Sequence, residues 1–327
     1  MGQINLLQAV HDALREEMAR DERVFLLGED IGAMGGVFRT TAGLLEEFGE
    51  ERVIDTPLAE SAIVGVAIGA SVNGMLPVAE IQFADFIYSA VNQIISEAAK
   101  WRYRTNGAQG CPIVVRAPYG GGVHGGPYHS QSVESLFFGI PGLKIVVPAT
   151  PYDAKGLLKA AIRDPDPVLF FEHKKSYRLV KGEVPDEDYV VPIGKARVSR
   201  PGRDLTLVAY GLMAHYSLEA AEAVAEDGVD VEVVDLRTLA PLDKEAILES
   251  VKKTSKVLIV HEDNLTGGVG AEVAALVGQE AFDYLDGPIT RLASPDIPAM
   301  PFSPALEEFA MPTADKIKQA LRDLAAY

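Results

Sequence analysis

Cysteine is nearly absent from this chain, since Cys111 is the only one among 327 residues. A disulfide framework within the chain is therefore impossible, and a reducing, cytoplasmic compartment is favoured. Basic residues are also scarce: 30 Lys and Arg stand against 47 Asp and Glu, a net charge of −17. This balance argues against nucleic acid or an anionic membrane surface as the main partner. No uncharged apolar run is long enough to span a bilayer, so a membrane protein is not predicted.

The length of the chain predicts two domains, because a single hydrophobic core stops growing below 327 residues. Strand-like apolar runs alternate with helix-like runs in both halves, which predicts two α/β domains with parallel sheets. A polar, proline-bearing stretch separates the halves. We predict a first domain over residues 1–182, a linker over 183–204 and a second domain over 205–327. Within the first domain, residues 87–105 are expected to form one long helix.

The acidic charge is concentrated in the second half of the sequence. Residues 1–182 carry 17 basic and 21 acidic side chains, whereas residues 183–327 carry 13 and 26. The second half is therefore a candidate for docking a basic partner. From charge alone, surface acidity that simply keeps the protein soluble explains the pattern equally well.

The stretch YGGGVHGGPYHSQSVE, residues 119–134, places His124 and His129 in a glycine-rich loop after an apolar strand. Glycine permits close approach to a phosphate, but neither the Walker A pattern nor the dinucleotide fingerprint is present. A metal site is disfavoured because the spacing of the two histidines does not match a zinc-binding helical turn. His129 is then either a buried structural histidine or a proton carrier, since an imidazole donates or accepts a proton close to neutral pH.

Glu60, in the stretch DTPLAES, stands between a strand end and a helix rich in small residues. The commoner role for a glutamate at a helix start is to complement the helix dipole. The alternative is a partly buried carboxylate that holds a proton against a ligand nitrogen. Ligands of parallel α/β sheets bind at the carboxyl ends of strands, where Glu60, Gln82, Phe86 and His129 are all predicted to lie. Residue chemistry alone thus predicts a strand-end cleft but no reaction.

Seven stretches, taken in order along the chain, resemble one family. They are FLLGEDIGAMGGVFRTT, VIDTPLAESAIVGVAIGA, PVAEIQFADF, QIISEAAKWRYRTNG, YHSQSVE, GLKIVVPATPYDAKGLLKAAIRDPDPVLFFEHK and VVDLRTLAPLD. Together they resemble the beta subunit of the thiamine-diphosphate-dependent 2-oxo acid dehydrogenase (decarboxylating) component of the large 2-oxo acid dehydrogenase complexes. EIQFADF, YHSQS and FFEHKKSYRLVKGEVP most resemble the branched-chain enzymes, with pyruvate and acetoin relatives as alternatives. The resemblance implies a pyrimidine-binding domain followed by a transketolase C-terminal-like domain.

The resemblance also implies roles for individual residues. Glu60 matches the glutamate that hydrogen-bonds N1′ of the cofactor's aminopyrimidine, and Phe86 matches the aromatic residue stacked on that ring. Leu58 and Gln82 match neighbouring cofactor contacts. His129 matches the active-site histidine near the thiazolium carbon, where it can supply the proton for a departing lipoyl sulfur. Ile113, Ala161, Asp164 and Asp166 match the positions that hold a potassium-type ion in the family.

The partners follow from a motif that is missing. In thiamine enzymes Mg²⁺ holds the diphosphate at a Gly-Asp-Gly segment, and this sequence contains none. The resemblance therefore implies that no Mg²⁺ ligands lie in this chain and that an alpha subunit supplies them in an α2β2 heterotetramer. It further implies that a lipoyl acyltransferase docks through its subunit-binding domain and its lipoyl domain. A self-sufficient thiamine enzyme and a non-catalytic α/β assembly protein are the alternatives.

Overall fold

The computed structural model describes residues 2–327 and divides them into two compact units. The first unit comprises residues 2–119 and Gly139–Ile193, and the second comprises Gly120–Phe138 and Gly194–Tyr327. The chain therefore enters the second unit twice. Each unit is built around a mostly parallel sheet, which confirms the predicted fold class.

The compact units are bounded differently from the domains predicted by composition. Residues 120–138 were expected in the first domain, yet they pack within the second unit. The predicted linker, residues 183–204, contains the strand Arg197–Arg200, which joins the sheet of the second unit. The difference arises because composition reports on the local character of the chain, whereas compactness depends on contacts between distant segments.

The strands, in chain order, are β1 (Gly2–Asn5), β2 (Val24–Gly28), β3 (Val53–Asp55), β4 (Leu76–Glu80), β5 (Val114–Tyr119), β6 (Lys144–Val146), β7 (Val168–His173), β8 (Lys181–Val184), β9 (Arg197–Arg200), β10 (Leu205–Ala209), β11 (Val231–Asp235), β12 (Thr238–Ala240), β13 (Val257–Asn264) and β14 (Ile289–Ser294). The α-helices are α1 (Leu6–Arg20), α2 (Leu44–Phe48), α3 (Glu60–Val72), α4 (Trp101–Arg104), α5 (Glu134–Phe138), α6 (Pro151–Ile162), α7 (Ser176–Leu179), α8 (Leu212–Ala225), α9 (Lys244–Thr254), α10 (Val269–Glu280), α11 (Pro304–Ala310) and α12 (Ala314–Ala325).

The sheet of the first unit has the strand order β6–β7–β5–β4–β2–β3, and all of these pairs are parallel. Every residue of β2, β5 and β7 is buried, as expected for strands that are covered on both faces. Helix α1 begins after Asn5, whose side chain accepts a hydrogen bond from the backbone of Gln8 at 2.8 Å. It buries Val10, Leu14 and Met18 in the core of this unit.

The sheet of the second unit has the order β14–β13–β10–β11–β9. The first four strands are parallel, and β9 is an antiparallel edge strand. Helix α9 begins where Asp243 accepts a hydrogen bond from the backbone of Ala246 at 3.3 Å. Strand β13 ends in four polar residues, His261, Glu262, Asp263 and Asn264.

The single helix predicted over residues 87–105 is wrong. The structure has a 3₁₀ segment at Ala84–Ala90, a π-helical segment at Gln93–Ala98 and the short helix α4. A hydrogen bond of 3.0 Å from the backbone of Ala99 to Ile94, five residues earlier, marks the π-helical segment. Apolar periodicity does not separate these helix types, because recurrence at three to four residues is common to all of them.

Across residues 2–327, every helix is too short or too polar to cross a bilayer.

Candidate active site

Three neighbouring strands of the first unit, β3, β2 and β4, end at the same edge of the sheet because they run parallel. Glu29 and Asp30 follow β2, Glu60 opens α3 after β3, and Gln82 and Phe86 follow β4. The sheet thus gathers side chains from three separate segments around the end of β2. Strand ends of this kind are where parallel sheets bind ligands.

Ser89 joins Glu60 to Phe86. Its Oγ lies 3.1 Å from Glu60 Oε2 and 3.1 Å from the carbonyl oxygen of Phe86, so it can donate its proton to either. Glu60 is half-buried and occupies the first turn of α3, where the helix dipole stabilises its carboxylate. Glu60 can therefore both complement the dipole of α3 and hold a proton against a ligand nitrogen, since its carboxylate remains partly accessible.

The carboxylates around the end of β2 influence one another. Burial raises the pKa of Glu29, and the nearby charges of Asp30 and Glu60 raise it further. Asp30 accepts a hydrogen bond of 3.1 Å from Gln82 Nε2. Gln82 is thereby held at this acidic cluster. An acidic strand-end site of this kind suits a ligand that brings N–H donors or positive charge.

The loop after β2 is fastened to the end of β3 by a close backbone contact. The N–H of Gly32 donates a hydrogen bond of 2.6 Å to Asp55 Oδ1. Glycine permits this close approach, because a Cβ atom here would lie 2.5 Å from Asp55 Oδ2 and would displace the carboxylate. This contact fixes the relative positions of two of the segments that carry the candidate site.

Phe86 is half-buried and held by other aromatic rings. Its ring centroid lies 5.7 Å from that of Phe83, edge to face, and Phe83 packs in the same manner against Phe38 at 5.4 Å. Lys174 Nζ lies 5.9 Å from the centre of the Phe83 ring. Leu58, in the turn between β3 and α3, is 71% exposed. The structure therefore offers an oriented aromatic ring and an exposed apolar side chain at this edge of the sheet.

A buried network of charges ties together β4, β5 and β7 in the same unit. Arg116 donates to Glu80 at 2.7 Å and to both oxygens of Glu172 at 2.6 and 2.8 Å. Tyr177 donates to the same Glu172 carboxylate, and its ring packs 5.3 Å from that of Phe38. Burial raises the pKa of Glu80 and raises that of Tyr177 well above its usual range. The network and the aromatic cluster of Phe86 are therefore in direct contact.

The carboxylates predicted at the potassium-type site are paired with cationic side chains. Lys144 Nζ lies 2.6 Å from both oxygens of Asp164, and Arg102 Nε lies 2.6 Å from Asp166 Oδ1. These side chains are consequently neutralised by the protein itself. Among residues 2–327, no group of three or more His, Cys, Asp or Glu side chains is arranged to hold a metal ion.

The two carbonyl oxygens predicted at the same site already accept backbone hydrogen bonds. That of Ile113 accepts one of 2.9 Å from the N–H of Val168. That of Ala161 accepts one of 3.2 Å from the N–H of Asp164 and another from the N–H of Arg163. A carbonyl oxygen has two lone pairs, so the Ile113 oxygen can accept a further partner.

His129 belongs to the second unit, in a segment that we call the histidine loop, residues 120–132. It follows a 3₁₀ turn at Gly126–Tyr128, and its side chain is exposed. The alternative of a buried structural histidine is therefore wrong. Gly125 packs tightly against it, because a Cβ atom there would lie 2.7 Å from the His129 carbonyl oxygen. Glycine in this loop thus serves close packing around the histidine.

His124, whose role the sequence left open, is paired with a residue far away in the chain. Its Nδ1 lies 2.6 Å from Glu307 Oε2, and its backbone has the left-handed φ of 57°. Ser89 and Glu307 were not predicted from the sequence. Only Ser89 left a usable signal, because it follows Phe86 by three residues in a helical stretch.

The two α/β units with mostly parallel sheets have the fold of transketolase-like proteins. Residues 2–180 match the family model of the transketolase pyrimidine binding domain, and residues 194–317 match that of the transketolase C-terminal domain. The chain belongs to this thiamine-diphosphate-dependent family and, within it, to the beta subunits of 2-oxo acid dehydrogenases.

Three similar proteins illustrate the relationship. The 2-oxoisovalerate dehydrogenase subunit beta of Bacillus subtilis is 63% identical over 327 residues, which is 100% of both chains. The pyruvate dehydrogenase E1 component subunit beta of the same organism is 49% identical and covers 93% of this chain and 94% of its own. The solved structure of a split gene transketolase, an inactive beta4 tetramer, superposes with a TM-score of 0.79 at 26% identity and covers 99% of each chain.

Proposed function

We propose that this chain is the beta subunit of a 2-oxo acid dehydrogenase. Together with an alpha subunit it catalyses the oxidative decarboxylation of a 2-oxo acid and the reductive acylation of a lipoyl group. A branched-chain 2-oxo acid is the favoured substrate. The main support for this proposal is sequence similarity. The chain is 63% identical to a 2-oxoisovalerate dehydrogenase beta subunit over the whole length of both chains.

Glu60 is proposed to hold a proton at N1′ of the aminopyrimidine. Thiamine diphosphate, when bound, supplies the nucleophilic carbon for the keto group and accepts the electron pair left behind by carbon dioxide. Glu60 is suited to its part because Ser89 engages only one of its two carboxylate oxygens. Phe86 offers an aromatic face for the pyrimidine ring, and Leu58 and Gln82 contribute the neighbouring contacts.

His129 is proposed to act in the second half of the reaction. His129 would supply a proton to the departing sulfur when the nucleophilic carbon left by decarboxylation bonds to one sulfur of the lipoyl disulfide and the sulfur–sulfur bond breaks. An exposed imidazole can deliver it at neutral pH. General acid assistance of this kind is typically worth about 10²–10⁴ in rate.

The partners are proposed from the sequence. The alpha subunit supplies the Mg²⁺ ligands and the diphosphate side of the site in an α2β2 heterotetramer, because the chain lacks a Gly-Asp-Gly segment. The lipoyl acyltransferase presents its lipoyl domain to the site. Its subunit-binding domain docks on the acidic second half of the chain. A cytoplasmic location suits a chain whose single cysteine is buried and reduced.

A potassium-type ion is proposed at the carbonyl oxygens of Ile113 and Ala161. Backbone oxygens would be the main ligands, because Lys144 and Arg102 neutralise the carboxylates of Asp164 and Asp166. The thermal midpoint of the chain should rise when KCl replaces an equal concentration of tetramethylammonium chloride, a salt whose cation is too large for the site.

Reconstitution with the cognate alpha chain tests the proposed function. The assembly, supplied with thiamine diphosphate and Mg²⁺, is offered 2-oxoisovalerate, pyruvate and 2-oxoglutarate with an artificial electron acceptor. We expect the highest kcat/KM with 2-oxoisovalerate and no activity without the alpha chain. Decarboxylation by this chain alone would favour a self-sufficient enzyme, and inactivity of the assembly toward all three acids would favour a non-catalytic role.

Pyruvate is the second candidate substrate, because a pyruvate dehydrogenase beta subunit also matches nearly the full length of the chain. The same panel distinguishes the two candidates, and acetoin is added as a further substrate. A preference for pyruvate or acetoin over 2-oxoisovalerate would reassign the substrate without changing the reaction class.

A further inference from the structure

The base of the histidine loop is closed by one backbone contact and one buried carboxylate. The N–H of Gly120 donates a hydrogen bond of 3.0 Å to the carbonyl of Gln131. Glu262, at the end of β13, accepts from the N–H of Gly121 and lies 3.4 Å from the hydroxyl of Ser132. Both ends of the loop are therefore held by one side chain that is more than 100 residues away in the sequence.

The tip of the loop is held by a second buried carboxylate. Glu307, on α11, is 2% exposed. Its Oε1 accepts hydrogen bonds from the N–H groups of Gly122 at 2.8 Å and His124 at 3.2 Å, and its Oε2 lies 2.6 Å from His124 Nδ1. A buried carboxylate requires such partners, and each charge-assisted hydrogen bond is stronger than a neutral one.

Apolar contacts from the same stretch of chain surround these hydrogen bonds. A Cβ atom added to Gly126 would lie 3.1 Å from the ring of Phe302. One added to Gly121 would lie 3.2 Å from both Met300 and Met311. Residues 300–311, which we call the anchor segment, therefore contact the loop at several points. A larger residue at either position would require these side chains to shift by a few tenths of an ångström, and at Gly126 the left-handed φ of 70° also favours glycine.

We propose that Glu307 is a positioning residue for His129. The histidine loop has five glycines among its thirteen residues and forms only one short 3₁₀ turn, so its ordering carries a large entropic cost. The carboxylate offsets part of that cost by fixing two backbone N–H groups and one side chain ahead of His129. The second unit thereby takes part in acyl transfer. This inference rests on the proposed function, in which His129 serves the lipoyl step.

Hydrogen–deuterium exchange on the full-length chain tests the anchoring. Glu307→Ala should accelerate exchange in a peptide covering residues 120–132 by at least about tenfold, the effect of losing about 1.4 kcal/mol of local stability. Glu307→Gln should have a smaller effect, because its amide oxygen still accepts from the backbone. Glu308→Gln, an exposed neighbour on the same helix, is the matched control and should resemble the wild type. Unchanged exchange in both Glu307 variants would overturn the proposal.

Kinetics of the assembly with the alpha chain test the link to His129. Glu307→Gln should slow reductive acylation of a lipoyl domain about tenfold and leave decarboxylation with an artificial acceptor within about twofold. In a chain that also carries His129→Ala, the same substitution should have almost no further effect, because the two residues act as a unit. Equal losses in both reactions, or additive losses in the double variant, would overturn the positioning role.

The two experiments separate this proposal from the proposed function. Exchange needs no substrate and decides the anchoring whatever the assembly catalyses. A wild-type assembly without activity on any 2-oxo acid would count against the proposed function alone. A Glu307→Ala chain that fails to fold would leave the decision to Glu307→Gln, which retains the size and one acceptor oxygen of the original side chain.

Discussion

The segments that carry Glu60 and His129 are fixed in different ways. Glu60 stands in the first turn of a regular helix, directly after a strand of a buried sheet. His129 stands in an irregular loop whose backbone is bound by carboxylates from β13 and α11. Regular structure fixes the first residue through local hydrogen bonds, whereas the second depends on single long-range contacts. A side chain held in the second way is easier to displace by one substitution.

Glu60→Gln should have the largest effect on activity. Decarboxylation should fall about 10²–10⁴-fold, because a neutral amide cannot share a proton with the pyrimidine as a carboxylate does. Steady-state rates of the assembly with an artificial acceptor measure this. Glu46→Gln, at an exposed position of the same unit, is the control. Because regular structure fixes the backbone at Glu60, the Glu60→Gln chain should keep the wild-type thermal midpoint. An unchanged rate of decarboxylation in Glu60→Gln would remove this residue from the mechanism.

Arg116→Met tests how firmly the framework under the first site is held. The substitution leaves Glu80 and Glu172 buried together without their cation, which should cost about 3–5 kcal/mol of folding free energy. Denaturant unfolding measures the loss. Arg104→Met, which breaks an exposed ion pair, should cost at most about 1 kcal/mol. Equal costs for the two variants would show that the buried network contributes little.

His129→Ala should slow acyl transfer to the lipoyl domain about 10²-fold and leave decarboxylation nearly unchanged. The split arises because the proton is needed only when the lipoyl disulfide opens. Single-turnover rates of the two half-reactions measure it. Tyr128→Phe, at the exposed position before it, is the control. Parallel losses in both half-reactions would instead place His129 in the first step.

The smallest predicted effect concerns pH and the segment that follows the histidine loop. Burial, and next the charge of Asp263, raise the pKa of Glu134 to about 8. Between about pH 4.3, the ordinary value for an unfolded glutamate, and about pH 8, the unfolded chain releases a proton that the folded chain retains. The free energy of unfolding should therefore fall as pH rises through this range.

Glu134→Gln removes this ionisation and should flatten the decline. Denaturant unfolding at pH 5 and pH 8 should show a smaller difference in the variant, by at least about 1 kcal/mol. Glu222→Gln, on the exposed face of α8, should retain the wild-type slope. If the free energy of unfolding fell equally with pH in Glu134→Gln and Glu222→Gln, Glu134 would already be ionised in the folded protein.

The contrast between the segments of Glu60 and His129 also separates the features that can be predicted from the sequence from those that cannot. The strand-end positions of Glu60, Gln82 and Phe86 followed from alternating apolar runs, because a parallel sheet brings its carboxyl ends together. The pairing of His124 with Glu307 did not follow, since 183 residues separate them and neither lies in a periodic pattern. The predicted long helix was wrong for a different, local reason. Apolar spacing does not indicate which carbonyl oxygen each backbone N–H will bond to.

Residues 120–138 were assigned to the first domain because they follow β5 without a change in composition. Their place in the second unit depends on contacts with Glu262, Asp263 and Glu307, and none of these contacts is visible in a local window. Division of the chain by contacts therefore differs from the predicted domains at this short segment, which leaves the first unit and returns.

The passage of residues 120–138 into the second unit has a consequence for recombination between related chains. A chimera made with one crossover near residue 193 would join the histidine loop of one parent to the carboxylate anchors of the other. Two additional junctions, near Tyr119 and Gly139, would keep the loop with the unit that holds it. The segment that can be exchanged as a unit between relatives is therefore discontinuous in sequence. Chimeras that exchange residues 120–138 together with the rest of the second unit should be active more often than chimeras with a single crossover.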